Sequence, residues 1–100
     1  MKSIMQKDER CFLCKKAIGT ETHHVFFGTA NRKLSDQDGL TVRLCWECHH
    51  LKAHKASTPE AEYLHKAGQE AWEAYYGPDL EKEGKDPRKV FMERYGKNWL

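Results

Sequence analysis

Two Cys-x-x-Cys pairs, Cys11-Phe12-Leu13-Cys14 and Cys45-Trp46-Glu47-Cys48, constrain this chain more than any other feature. The two sulfurs of one pair reach a single tetrahedral ion. Two pairs complete a four-thiolate shell with no open position, the mark of a structural Zn²⁺ site. A chain of 100 residues is expected to form one domain, small enough that its core benefits from a metal staple. The disulfide alternative needs an oxidising compartment. Residues 1–10 are polar and charged, with no apolar run to serve as a signal peptide. No stretch approaches the ~20 apolar residues of a membrane span. The expectation is a reduced, cytoplasmic, zinc-stapled protein with no membrane partner.

The second feature lies between the cysteine pairs. Five of the six histidines fall between Thr22 and His54: His23, His24, His49, His50 and His54. The four-thiolate shell needs none of them, and histidine both ligates metals and moves protons near neutral pH. On a strand His23 and His24 point to opposite faces. On a helix His50 and His54 share a face, with His49 about 100° round from His50. One strand histidine with helix histidines makes an open metal site, and a free imidazole beside it can take a proton from water. Phosphodiester hydrolysis needs both. Residues 1–57 carry ten Lys and Arg against six Asp and Glu, a net +4, and residues 58–100 carry seven against nine, a net −2. The histidine-bearing half is the basic one, which suits a polyanionic partner.

The local signals predict a small α+β fold. Residues 1–10 read as a frayed end or short edge strand, and Cys11–Cys14 as a knuckle. Thr22–Phe27 reads as a strand, Arg32–Gly39 as a polar loop and Leu40–Leu44 as a half-buried strand. A short helix is expected from about Trp46 to Ala56. Ser57-Thr58-Pro59-Glu60 starts a second helix, with Leu64, Ala67/Gly68, Ala71/Trp72 and Tyr75 on its apolar face, ending near Tyr76 before Gly77-Pro78. Asp79–Lys85 reads as a loop. Asp86-Pro87 starts a third helix, with Val90, Phe91 and Tyr95 inward and Gly96 as its stop. Trp99-Leu100 is expected to fold back. His65 reads as structural or exposed.

The stretch HHVFFGTANRKLSDQDGLTVRLCWECHH resembles the HNH nucleases, and more narrowly a group of small prophage-encoded HNH proteins. Gln69-Glu70-Ala71-Trp72-Glu73 and the Phe91–Leu100 tail resemble that group as well. The resemblance implies a zinc-stapled ββα-metal, treble-clef-like finger over about residues 8–57 and a helical extension over about 58–100. It implies a phage-type endonuclease that cuts DNA with Mg²⁺, Mn²⁺ or a similar divalent ion. His24 would be the general base, with His23, His49 and His54 as metal ligands. Asn31, the only Asn between His24 and Cys45, would be the middle member of the motif, with Ser35 the alternative brace for the loop. Arg32 would assist at the phosphate, and Arg32, Lys33, Arg43, Lys52 and Lys55 could hold the DNA backbone. The alternative is a non-catalytic module that binds DNA or docks phage packaging or recombination proteins.

Overall fold

The computed structural model describes residues 1–53, 55 and 57–100. In chain order the elements are β1 (Thr20–His24), α1 (Thr29–Asp38), β2 (Thr41–Cys45), a π-helical turn (Cys48–Ala53), α2 (Pro59–Lys82) and α3 (Pro87–Tyr95). β1 and β2 pair antiparallel, with Thr20 opposite Cys45 and His24 opposite Thr41. The result is the expected small α+β architecture: a two-stranded sheet leading into a helical turn beside a four-cysteine cluster, then two C-terminal helices. Among the described residues no helix is long and apolar enough to cross a membrane.

Four local expectations are corrected. The polar loop expected at Arg32–Gly39 is the body of α1. Its sequence hides a helix because the side chains it buries deepest, Ser35 and Asp38, are polar. Gly39 closes it in the left-handed region at φ 77°, and a Cβ there would stand 2.5 Å from the Lys2 carbonyl oxygen. β1 ends at His24 and not at Phe27. Beyond it the Phe26 backbone bonds to the Ser35 hydroxyl, which accepts from Phe26 N at 3.1 Å and donates to Phe26 O at 2.9 Å. Ser35 is thus the brace of this loop.

The third correction concerns the helix expected at Trp46–Ala56, which starts at Trp46 as expected but is π-helical over Cys48–Ala53; Ala56 lies outside the described residues. The fourth is α2, which runs through Gly77-Pro78 to Lys82. A proline in a helix forfeits one backbone bond. Here Leu80 still packs on the core, and its carbonyl accepts from Lys85 N at 2.9 Å. Tertiary packing outweighs the local stop signal. Tyr75 is exposed, and the neighbouring Tyr76 packs inward in its place.

Residues 1–10 form no strand, yet they are tied down. Ile4 N donates to Gly39 O at 2.9 Å, Ser3 Oγ donates to Thr41 O, and Gln6 Oε1 accepts from Arg43 N at 2.8 Å. These bonds satisfy the outer edge of β2, which would otherwise present open backbone groups. Thr58 caps α2 by accepting from Ala61 N at 3.1 Å, and Asp86 caps α3 by accepting from Arg88 N at 3.0 Å. Both caps are followed by proline, as their sequences foretell.

The core is centred on Phe26. Its ring lies 5.6, 4.8 and 4.6 Å from those of Phe91, Tyr95 and Trp99, so the C-terminal residues do fold back. Gly68 lets α2 cross close to this point: a Cβ would meet Val25 Cγ1 at 2.8 Å. His65 is buried and stacked on Phe26 at 5.3 Å.

One polar cluster docks the C-terminal helices. The buried carboxylate of Asp38 accepts from Trp72 Nε1 at 2.9 Å, Arg94 Nε at 2.7 Å, Arg94 Nη2 at 2.8 Å and Tyr95 Oη at 2.7 Å. Tyr76 Oη donates to the Asp38 carbonyl at 2.9 Å. Burial and the bond to Asp38 push the Tyr95 phenol well above its ordinary range, so it stays a donor.

Asp38→Asn should destabilise the protein by about 3 kcal/mol, because an amide cannot accept from every one of these donors and leaves Arg94 without its counter-charge. Urea unfolding of both proteins measures this, and an unchanged midpoint would refute the role. His65 adds a pH dependence. Burial, then Lys97, holds its imidazole below the ordinary value. Its contribution to stability is therefore intact above pH about 6.5 and is lost as the pH falls through the depressed folded value. His65→Gln should flatten the stability profile on that acid side. Parallel profiles for the two proteins would count against it.

Candidate functional site

The four cysteines are thiols, not disulfides, and come together from the knuckle and from the β2–π-turn junction. A tetrahedral ion with sulfur ligands at about 2.3 Å requires sulfurs about 3.8 Å apart. Cys14 Sγ and Cys45 Sγ are 3.6 Å apart, and all four sulfurs lie within 4.8 Å of one another. The donor set and its spacing fit zinc. The knuckle turns through Lys15, at φ 69°, and aims Cys14 N at Cys11 Sγ, 3.4 Å away. Burial raises the Cys11 thiol, but bonds from the backbone at Cys14, Cys45 and Leu13 outweigh it and bring the thiol down to about 6. Cys48 is pushed up by burial and by its cysteine neighbours. A divalent cation resolves this crowding by allowing all four to ionise.

Three histidines, His23, His49 and His50, gather with Glu21 of β1. Glu21 and His23 are two apart and share a face. On that face the His23 ring meets His49 edge-on at 5.0 Å, and His49 lies 4.6 Å from His50. Glu21 Oε1 stands 3.0 Å from His49 Nδ1 and 2.8 Å from His50 Nε2. Adjacent residues on a helical turn reach one oxygen here because His49 uses its near nitrogen and His50 its far one. These bonds, His49's first, hold the Glu21 carboxyl below its usual range. The three donor atoms lie within 4.8 Å of one another, so Glu21, His49 and His50 could hold a metal ion. Glu21 escaped the sequence reading, although its i, i+2 relation to His23 was a usable signal.

His24 sits on the other face of β1, with its Nε2 3.3 Å from Asp36 Oδ1. Asp36 was also missed. Once residues 29–38 are a helix, Thr29, Arg32, Lys33 and Asp36 fall at i, i+3, i+4 and i+7 and form one stripe. That stripe, with Thr22, His23, His24, Phe27, Gly28 and His49, lines a cleft of about 910 Å³. A cleft along an edge strand takes side chains from both faces, which is how His23 and His24 come to line the same space.

The remaining expected site residues lie elsewhere. Asn31 lines a neighbouring cleft with Phe26 and His65, away from His24. Arg43 is committed to β1, donating from Nε to Thr20 Oγ1 at 3.2 Å and from Nη1 to Thr22 Oγ1 at 2.9 Å. Lys52 and Lys55 are exposed and do not line the His24 cleft. The expected ligand His54 lies outside the described residues. No family model, no curated protein and no solved structure matches this chain.

The protein should purify with one zinc per chain, read by elemental analysis. Cys45→Ser should lose that metal and most of its cooperative unfolding transition, since a structural zinc supplies folding energy directly. A variant that keeps zinc and melts like the parent would refute the four-thiolate site.

Proposed function

We propose that the protein is a metal-dependent endonuclease of the HNH kind that hydrolyses DNA phosphodiester bonds. The observation that carries this reading is the juxtaposition in one cleft of an imidazole paired with a carboxylate, His24 with Asp36, the histidines His23 and His49, and the cations Arg32 and Lys33. Donating Nε2–H to Asp36 fixes the His24 ring and leaves Nδ1 as the proton acceptor for an attacking water. Arg32 and Lys33 bind and orient the phosphate. A divalent ion held by His49 with His23, Glu21 or His50 would supply charge stabilisation at the scissile phosphate and the leaving oxygen. Imidazole ligands favour Mn²⁺ or a later first-row ion over Mg²⁺. His50 and Glu21 thereby enter the ligand set beside the residues that the HNH resemblance nominates.

The rival reading, a module that only binds DNA or docks a partner protein, draws less support. Of the aromatics of α2 and α3 that could dock a partner, Trp72, Phe91 and Tyr95 are buried inside the protein, which leaves Tyr63 and Tyr75 exposed. A binding module also has no use for a carboxylate-held imidazole beside a group of metal-ligating side chains.

Plasmid nicking with added Mn²⁺ tests the proposal. His24→Ala should lower the rate by about 10²- to 10⁴-fold, the usual weight of a general base, while zinc content and melting temperature stay the same. Full activity in that variant would exclude His24 as the base. No divalent-dependent nicking by the parent protein would favour the binding module.

A further inference from the structure

Beside the His24 cleft lies a second one of about 470 Å³, lined by Phe26, Phe27, Asn31, Glu62, His65, Lys66, Lys97, Asn98 and Trp99. Phe27 is common to both. Nothing in the hydrolytic proposal uses this space, yet its composition is particular. Its apolar wall is a group of rings: His65 stands 5.3 Å from Phe26, 5.7 Å from Phe27 and 5.3 Å from Trp99. Its cations are Lys66 and Lys97, against the single carboxylate of Glu62, and Lys97 Nζ stands 5.6 Å over the Trp99 ring. Asn98 is occupied within the fold, accepting from Gln69 Nε2 and donating to the Leu100 carbonyl. Among the described residues the Asn31 amide makes no such bond, which leaves its donor and acceptor for a ligand. His65 is itself buried among these rings and forms part of the wall.

An apolar wall of rings, an amide with both hydrogen-bonding senses and two ammonium groups match the three parts of a nucleotide. The partly exposed rings of Phe27 and Trp99 face a base, Asn31 reads its edge, and the lysines meet its phosphates. The volume lies within the range of small-ligand sites. A base inside a duplex is stacked and paired, so only an unpaired nucleotide can enter such a pocket. We propose that this second cleft binds one unpaired nucleotide of the strand that passes Phe27 from the His24 cleft, so that DNA with a single-stranded segment is the preferred substrate. The inference rests on the nuclease reading for the identity of the strand, but binding can be measured without cleavage.

The test uses full-length His24→Ala protein, zinc-loaded and without added divalent ion, and a fluorescein-labelled single-stranded DNA hexamer read by anisotropy. A blunt duplex of mixed sequence and free dAMP serve as competitors. The hexamer should outcompete the duplex by about tenfold. Adding Lys66→Ala and Lys97→Ala together should weaken hexamer binding by at least about tenfold and lower the salt slope by about 0.7 per lysine. Asn31→Ala should weaken the hexamer and leave the duplex unaffected. Hexamer affinity and slope unchanged by these substitutions, or no hexamer binding at all, would overturn the proposal. Competition by dAMP equal to that of the hexamer would assign the cleft to a free nucleotide and overturn the claim about the strand. A protein that nicks plasmid yet shows no single-strand preference loses this inference alone. One that binds the hexamer through these residues but never cuts loses only the nuclease reading.

Discussion

Four sulfurs that must sit within reach of one ion determine where the rest of this small protein can go. The cluster joins the knuckle at Cys11–Cys14 to the point where β2 becomes the π-helical turn. The backbone follows, with Phe12 N donating to Arg43 O at 2.7 Å. With the end of β2 fixed, pairing places β1 beside it with Thr20 opposite Cys45. His49 follows Cys48 directly, so the position of the cysteine decides the position of the imidazole. The contact between His23 and His49 is thus a consequence of the four-cysteine scaffold. A loop closure of this kind also removes disorder that a small core would otherwise have to offset.

The opposite end of the sheet is held by different physics. Asp38 sits one residue before the glycine that ends α1, and three side chains from α2 and α3 converge on its carboxylate. A buried charge tolerates such a place only when its lone pairs are filled. Among the described residues no buried side-chain nitrogen or oxygen lacks a partner. The Asp38 cluster sets how the helical extension lies on the ββα part, and with it the Trp99 and Lys97 walls of the second cleft. The four-cysteine cluster and the carboxylate cluster act at different ends of the sheet.

Much of this was legible in the residues because some signals are local. Cys-x-x-Cys spacing, the Thr58-Pro59 and Asp86-Pro87 caps and the alternation in Leu40–Leu44 each need only a few neighbours to be read. The polar helix α1 was not legible, since hydrophobic periodicity is blind to a helix whose buried side chains are Ser35 and Asp38. Missing that helix also concealed Asp36, because the stripe of Thr29, Arg32, Lys33 and Asp36 exists only at helical spacing. Glu21 was overlooked for another reason. A histidine-rich window points first to imidazole ligands, although a carboxylate two residues away on a strand is a neighbour by construction. The extension of α2 past Pro78 was beyond local reading, because the packing of Leu80 decides it.

The division of labour in the histidine-rich window follows from strand geometry. Consecutive residues on a buried strand would have sent His23 and His24 into separate surroundings. On an edge strand the two surroundings meet at the rim, so one histidine can join the ligand group while the other answers to α1. His23, His24 and His49 nevertheless line the same cleft. Helical spacing in α1 is what puts Arg32, Lys33 and Asp36 on one stripe. Asp36 can hold the His24 ring, and Arg32 and Lys33 can share its cleft, only if one rigid element carries all three at fixed spacing. The Ser35 hydroxyl, bonded to both backbone groups of Phe26, sets the distance between that element and the strand. A polar residue in the core is therefore what brings the basic face of α1 to the histidine edge of β1.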